Sequence, residues 1–405
     1  MRKLFATALF AIAAGAGSVR AADDQSFELV QRGRYLATAA DCVACHTAPR
    51  GAPFSGGLPL ETPFGVIVTP NITPDKDTGI GSWTDAEFIG ALHDGRGRGG
   101  KRLFPAMPYP SYTKLSVRDA LAIRAYLNTI EPASKKIDVN QLPFPISWRF
   151  NMAVWNLWNF TPGRIEPDAS KTPEWNRGRY LVDALGHCGA CHTPKTIMGA
   201  EKANNYLEGS VIQGWFAPNI TADARKGIGA WSDDDIVAYL KTGTNGRTIA
   251  SGPMAEAVAN STSHMSDPDL KAIAAYLKSL KPAESVAPTP LAPDDARLVA
   301  GRAIYKDSCA GCHTDGGSGA PSLFPALAGS GIVQSVDPST LIRVVLQGSQ
   351  GVHTATKPTT PAMPSLSWRL NDAQVAAVLT YVRNSWGNSG SPVAPGAVAA
   401  ARATR

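Results

Sequence analysis

The chain has 405 residues, 39 Lys and Arg against 33 Asp and Glu, and a formal charge of +6. That length exceeds one small core and suits two or three domains. So weak a positive balance, with no Lys/Arg run, excludes nucleic acid as a partner.

In chain order the first element is a leader. Arg2 and Lys3 precede an apolar run from Leu4 to Ala16, and Val19-Arg20-Ala21 presents small residues to a signal peptidase. Residues 1–21 therefore read as a signal peptide, whose removal takes Arg2, Lys3 and Arg20 and lowers the charge from +6 to +3. The alternative, an uncleaved anchor, needs about 20 apolar residues. Nothing after Ala21 reaches that length, so an exported, soluble or peripherally bound protein is expected.

The first module, 22–130, opens with Arg32-Gly33-Arg34-Tyr35-Leu36 and then Cys42-Val43-Ala44-Cys45-His46. The same order returns as Arg177-Gly178-Arg179-Tyr180-Leu181 before Cys188-Gly189-Ala190-Cys191-His192, and as Gly301-Arg302-Ala303-Ile304-Tyr305 before Cys309-Ala310-Gly311-Cys312-His313. All six cysteines are thus in Cys-x-x-Cys-His, the attachment motif of c-type haem. Residues i, i+3 and i+4 share one helical face. Two thiols there add to the two vinyl groups while the histidine reaches the iron. Disulfides or a zinc site are the alternatives, but three complete copies with no cysteine left over favour three covalent haem c groups. The glycine ahead of each motif reads as a close helix crossing.

Modules one and two also share Pro70-Asn71-Ile72-Thr73 with Pro218-Asn219-Ile220-Thr221, and Gly79-Ile80-Gly81-Ser82-Trp83 with Gly227-Ile228-Gly229-Ala230-Trp231, at an offset of 148 residues. These look like a duplication. The asparagine loops offer hydrogen bonds to haem propionates, with Trp83 and Trp231 beside the ring, or are ordinary loop structure. Each module closes on an amphipathic helical pattern, with Asp119, Asp269 or Asp372 in its first turn, where negative charge suits the helix dipole. Little alternates with period two, so strands should be few.

For the sixth iron ligand, Met107 and Met363 share the context Pro-Ala-Met-Pro, and Met254 in Gly252-Pro253-Met254 holds the equivalent place. They follow His46, His313 and His192 by 61, 50 and 62 residues, and His/Met ligation raises a haem potential. Met265 is the alternative to Met254. Met152 and Met198 read as packing residues, and bis-histidine ligation would draw on His93, His264 or His353, which sit in polar or glycine-rich stretches and read as solvated. Between modules, 131–174 is an aromatic-rich linker in which Trp148, Trp155 and Trp158 fall within eleven residues, a docking segment or module packing. Residues 282–294 are a Pro-rich linker and 389–405 a disordered tail.

With these residues the chain resembles the tri-haem cytochrome c subunits of bacterial periplasmic dehydrogenases. The carriers are the three Cys-x-x-Cys-His motifs, Pro70-Asn71-Ile72-Thr73, Ala106-Met107-Pro108-Tyr109-Pro110-Ser111-Tyr112 and Val382-Arg383-Asn384-Ser385-Trp386-Gly387-Asn388. The resemblance implies an all-α protein of three tandem class I cytochrome c domains, at 22–130, 175–281 and 295–388. It implies a catalytic quinoprotein, flavoprotein or molybdoprotein partner subunit, and ubiquinone or a terminal oxidase as acceptor. It also implies peripheral contact with the periplasmic face of the inner membrane, although the end from Gly390 to Arg405 is small, polar and basic rather than an anchor. A free-standing shuttle or a haem enzyme such as a peroxidase is the competing reading.

Overall fold

The computed structural model describes residues 26–282 and 286–404. The expected leader, 1–21, lies outside them, as do residues 283–285 of the Pro-rich linker. No helix among the described residues is long and apolar enough to cross a membrane.

The first module begins at Ser26, whose side chain accepts from the Leu29 amide and starts α1 (Phe27–Ala39). The Cys-x-x-Cys-His turn is α2 (Cys42–His46). A hairpin follows, β1 (Pro59–Thr62) antiparallel to β2 (Gly65–Val68) with Pro59 opposite Val68. Helix α3 (Asp85–Asp94) starts on a reciprocal cap, Thr84 with Glu87, and stops at Gly95 in the left-handed region. A single turn, α4 (Tyr109–Tyr112), leads to α5 (Val117–Leu127), capped by Ser116. The connection holds β3 (Asn140–Gln141), which adds to β2, and α6 (Asn151–Asn159).

The second module repeats this plan. Helix α7 (Pro173–Tyr180) runs into a π-turn at Leu181–Leu185, and α8 (Gly189–His192) carries the motif. The hairpin is β4 (Ser210–Ile212) with β5 (Trp215–Ala217). Helices α9 (Asp233–Thr242), α10 (Pro253–Asn260) and α11 (Asp267–Ser279) complete it. The third module comprises α12 (Ala296–Ser308), α13 (Ala310–His313) and α14 (Ser339–Gln347), then β6 (Ser349–Gln350) paired with β7 (Ala362–Met363), and α15 (Asp372–Arg383). Helix α16 (Pro395–Ala403) follows.

One crossing recurs in every module, and glycine makes it. A Cβ on Gly33 of α1 would lie 1.8 Å from the Ala122 carbonyl oxygen of α5; on Gly178 of α7, 1.9 Å from that of Ala272 in α11; on Gly301 of α12, 2.2 Å from that of Ala377 in α15. The first and last helices of each module therefore touch backbone to backbone. Apolar residues behind the crossings form the core. Leu36, Leu115, Ile123 and Leu127 of module one share a continuous cluster with Leu181, Leu185, Leu270 and Leu277 of module two. Module three has separate clusters, one around Val375 and Leu346 and another around Tyr305 and Val378.

Three expectations need correction. The chain is mainly helical but not all-α, because the β-branched run Val66-Ile67-Val68 and its counterparts form small antiparallel sheets. Such strands of two to four residues are too short to show alternation. The segment 131–174 is more than a linker: Met152 and Trp155 of α6 are buried with Phe104, Tyr109, Leu142 and Ala200. Residues 389–404 of the tail are ordered. Val398 of α16 is fully buried against Leu346, Leu370 and Val375. Arg402 bonds Asp372 and the Ser367 and Leu370 carbonyls at 2.7–2.9 Å.

Candidate functional site

In every module the two thiols and the histidine sit on one helical turn. Helix α2 contains Cys42, Cys45 and His46, while Cys188 and Cys309 are the residues from which α8 and α13 start. Each histidine then makes the same bond. Nδ1 of His46 is 2.8 Å from the Pro70 carbonyl oxygen, Nδ1 of His192 is 2.7 Å from that of Pro218, and Nδ1 of His313 is 3.0 Å from that of Pro325. A carbonyl only accepts, so Nδ1 carries the proton and Nε2 keeps its lone pair. Burial lowers all three histidine pKa values against the opposing effect of the carbonyl bond, which keeps the rings neutral. A neutral imidazole with one nitrogen anchored on a carbonyl and the other free is the arrangement of a metal-binding histidine.

Burial holds most of the thiols in the neutral form. Burial pushes Cys42 and Cys188 up to about 12 and Cys45 and Cys309 up to about 11, whereas a redox dithiol or a zinc site stabilises the thiolate. None of the six is in a disulfide, and no cluster of three His, Cys, Asp or Glu suited to a metal ion occurs among the described residues. A thiol pair beside one anchored imidazole fits covalent haem c three times over: the cysteines would hold the porphyrin and Nε2 the iron.

The methionines occupy three different local structures. Met107 lies in the turn before α4 and packs, half-buried, on the shared core. Met363 is in β7 and packs beside Ile342 and Leu346. Met254 is in the first turn of α10, after Gly252 at φ 55, and packs with Ala250, Val258 and Val352. Met265 is buried at the entry of α11, and Met152 is a buried residue of α6. The alternative histidines are engaged elsewhere. His264 bonds the Ala259 carbonyl, and His353 bonds Gln350 and the Pro358 carbonyl. His93, expected in solvent, is instead fully buried against Arg164; burial, aided by that guanidinium, pulls its pKa down to about 4.

The shared Pro-Asn-Ile-Thr loops have a role that sequence reading missed. Their prolines supply the carbonyls for His46 and His192. Asn71 is used up inside its own loop: Oδ1 accepts from the Thr73 amide and hydroxyl, and Nδ2 donates to Thr78 and the Ala133 carbonyl. Asn219 holds Thr221 in the same way. The loop reading therefore replaces the propionate reading for Asn71. A signal existed, since each proline follows its histidine by 24 or 26 residues. In module three Pro325 does this from only 12 residues away, without the motif. Trp83 packs on the shared core, and Trp231 lies edge to face with Tyr239.

Comparison with known proteins gives the chain's relatives. The cytochrome c family profile matches residues 30–131, 176–281 and 298–386. The chain is 44% identical over 389 residues to the gluconate 2-dehydrogenase cytochrome c subunit of Pantoea cypripedii, covering 91% of this chain and 88% of that one. It is 38% identical over 416 residues to the cytochrome c subunit of the quinone-linked alcohol dehydrogenase of Gluconobacter oxydans, covering 98% and 85%. It is also 38% identical over 405 residues to the fructose dehydrogenase cytochrome subunit of Gluconobacter japonicus, covering 92% and 82%.

Proposed function

The chain belongs to the cytochrome c family and carries three haem c groups, and we propose that it is the exported electron-transfer subunit of a periplasmic dehydrogenase complex. In this reading 22–130, 175–281 and 295–388 are three class I cytochrome c domains. Cys42 with Cys45, Cys188 with Cys191, and Cys309 with Cys312 hold the porphyrins by thioether bonds. His46, His192 and His313 would ligate the irons, with Met107, Met254 and Met363 as the second ligands. Bound there, haem supplies one-electron chemistry at iron. The chain's own part is to orient each imidazole through Pro70, Pro218 or Pro325, keep it neutral, and close the site with a thioether sulfur that favours the reduced state.

The observation that carries the reading is the histidine–carbonyl bond made three times beside three thiol pairs. A catalytic subunit, as the names of the relatives suggest, delivers the electrons, and ubiquinone in the inner membrane takes them. Contact with that membrane is assigned to α6 and the segment that leads into it. Phe144, Trp148 and Phe150 ahead of α6, and Leu157 and Trp158 on it, are exposed, and residues 139–165 contain Arg149 and Arg164 but no carboxylate. Exposed aromatics beside cations suit an anionic bilayer surface.

The test is purification of the native complex with a pyridine haemochrome assay. Three haem equivalents per chain and a co-purifying dehydrogenase subunit are expected. Fewer than three equivalents, or immediate binding of cyanide or peroxide at an open iron, would favour the haem-enzyme alternative.

A further inference from the structure

Modules one and two are joined by reciprocal contacts. Tyr180 of module two donates to Asp119 of module one at 2.6 Å, and Tyr35 of module one donates to Asp269 of module two at 2.6 Å. Each carboxylate is also gripped by the first helix of its own module, Asp119 by Arg32 and Asp269 by Arg177, both at 2.8 Å through Nε. Each module gives the contact it receives, which is how two copies of one protein meet across a twofold axis.

The centre of this junction lies beside the haem-attachment turns. The Tyr112 ring meets the His187 ring edge to face at 5.5 Å between centroids. Both side chains also reach one backbone atom: the Tyr112 hydroxyl and His187 Nε2 each bond the Ala40 carbonyl at 3.3 Å. Ala40 lies two residues before Cys42, and His187 immediately precedes Cys188. Ser261 of module two adds a bond to the neighbouring Ala39 carbonyl at 2.9 Å. Module three docks differently. Thr340 and Arg343 bond Phe216 and Gly214 of the module-two hairpin, and Arg225 of module two bonds Ser389.

We propose that Tyr112 and His187 form an aromatic bridge that couples the haem attachments of modules one and two into one redox pair. The step is transfer of a single electron between the two irons, one oxidised as the other is reduced, with no bond made or broken. The bridge rests on the three-haem reading above and goes beyond it, since a three-haem chain with no such pair remains an electron carrier.

Circular dichroism of the native, fully oxidised protein is the first measurement. A two-signed Soret couplet is expected from the pair, and it should persist in Cys309→Ala/Cys312→Ala protein holding two haem equivalents. A single-signed band from native protein with three haem equivalents would overturn the pair while leaving the electron-carrier reading intact. Pulse reduction then tests the bridge. The fast phase of inter-haem equilibration should be lost in Tyr112→Leu and retained in Tyr112→Phe. His187→Leu reads the other half of the bridge if Tyr112→Leu does not fold. A fast phase unchanged in a leucine variant that keeps its couplet would overturn the bridge.

Discussion

A histidine becomes a directed ligand only when one of its two nitrogens is committed elsewhere. Here the commitment is made three times, by Pro70, Pro218 and Pro325. The proposed methionine ligands are tested by potential, because thioether ligation raises it. Met107→His, Met254→His and Met363→His are each expected to lower one midpoint potential of three and leave the others in place, read by spectroelectrochemical titration. Met265→Leu is expected to move none, and a shift there in place of one for Met254→His would transfer the assignment. The thiols and imidazoles were legible in the sequence because their chemistry is confined to one helical turn. The carbonyls were not, because a backbone oxygen belongs to every residue and only folding chooses which one faces the ring. His93 was misread for a related reason: its polar neighbours in sequence say nothing of Arg164, which reaches it from 71 residues away.

Between elements, the recurring contact is backbone on backbone at Gly33, Gly178 and Gly301. Because a Cβ there would overlap a carbonyl oxygen rather than a movable side chain, Gly33→Ala and Gly178→Ala are expected to destabilise by at least the overpacking range of about 1–3 kcal/mol. Thermal melts of the holo-protein check this, and an unchanged midpoint would refute the close crossing. Helix α6 separates two roles within four residues, Trp155 to Trp158. Trp155 is 5% exposed and donates to the Met198 carbonyl, whereas Leu157 and Trp158 are 82% and 78% exposed. Leu157→Ser/Trp158→Ser is therefore expected to weaken co-sedimentation with anionic liposomes without changing the melt, and equal binding would remove the membrane role. Glycines at a crossing are readable from sequence because their spacing repeats. The tail was not, since its Gly, Ser and Ala promise no core. Its order comes from Arg402 and from Arg383, a fully buried guanidinium satisfied by the Val333, Ser335 and Ser391 carbonyls at 2.8 Å.

At the scale of the whole chain, three sequence repeats do not make three equivalent parts. Modules one and two pool many apolar side chains in one cluster, while module three keeps its own main core and meets module two through polar contacts at Phe216, Gly214 and Arg225 and one small apolar cluster, Val352 on Ala250 and Val258. A shared core melts as one cooperative unit, and a neighbour joined by hydrogen bonds and one small apolar contact need not join it. Calorimetry of the holo-protein is expected to resolve two transitions, the larger for residues 26–281 and the smaller for 295–404; three equal transitions would contradict the shared core. The repeats were visible in the motifs, but the unequal pairing was not. It depends on where Tyr35, Tyr180 and Tyr112 point, which no spacing reveals.

That exchange of tyrosines has a consequence for how the chain tolerates division. Severing the gene between its first two repeats would strand two sticky surfaces, each shaped to receive a near twin. Module one made alone would find its missing neighbour in another copy of itself, Tyr35 turning to the Asp119 of its double. The third repeat, resting on polar contacts and one small apolar cluster at Val352, is the portion an engineer can swap like a cartridge.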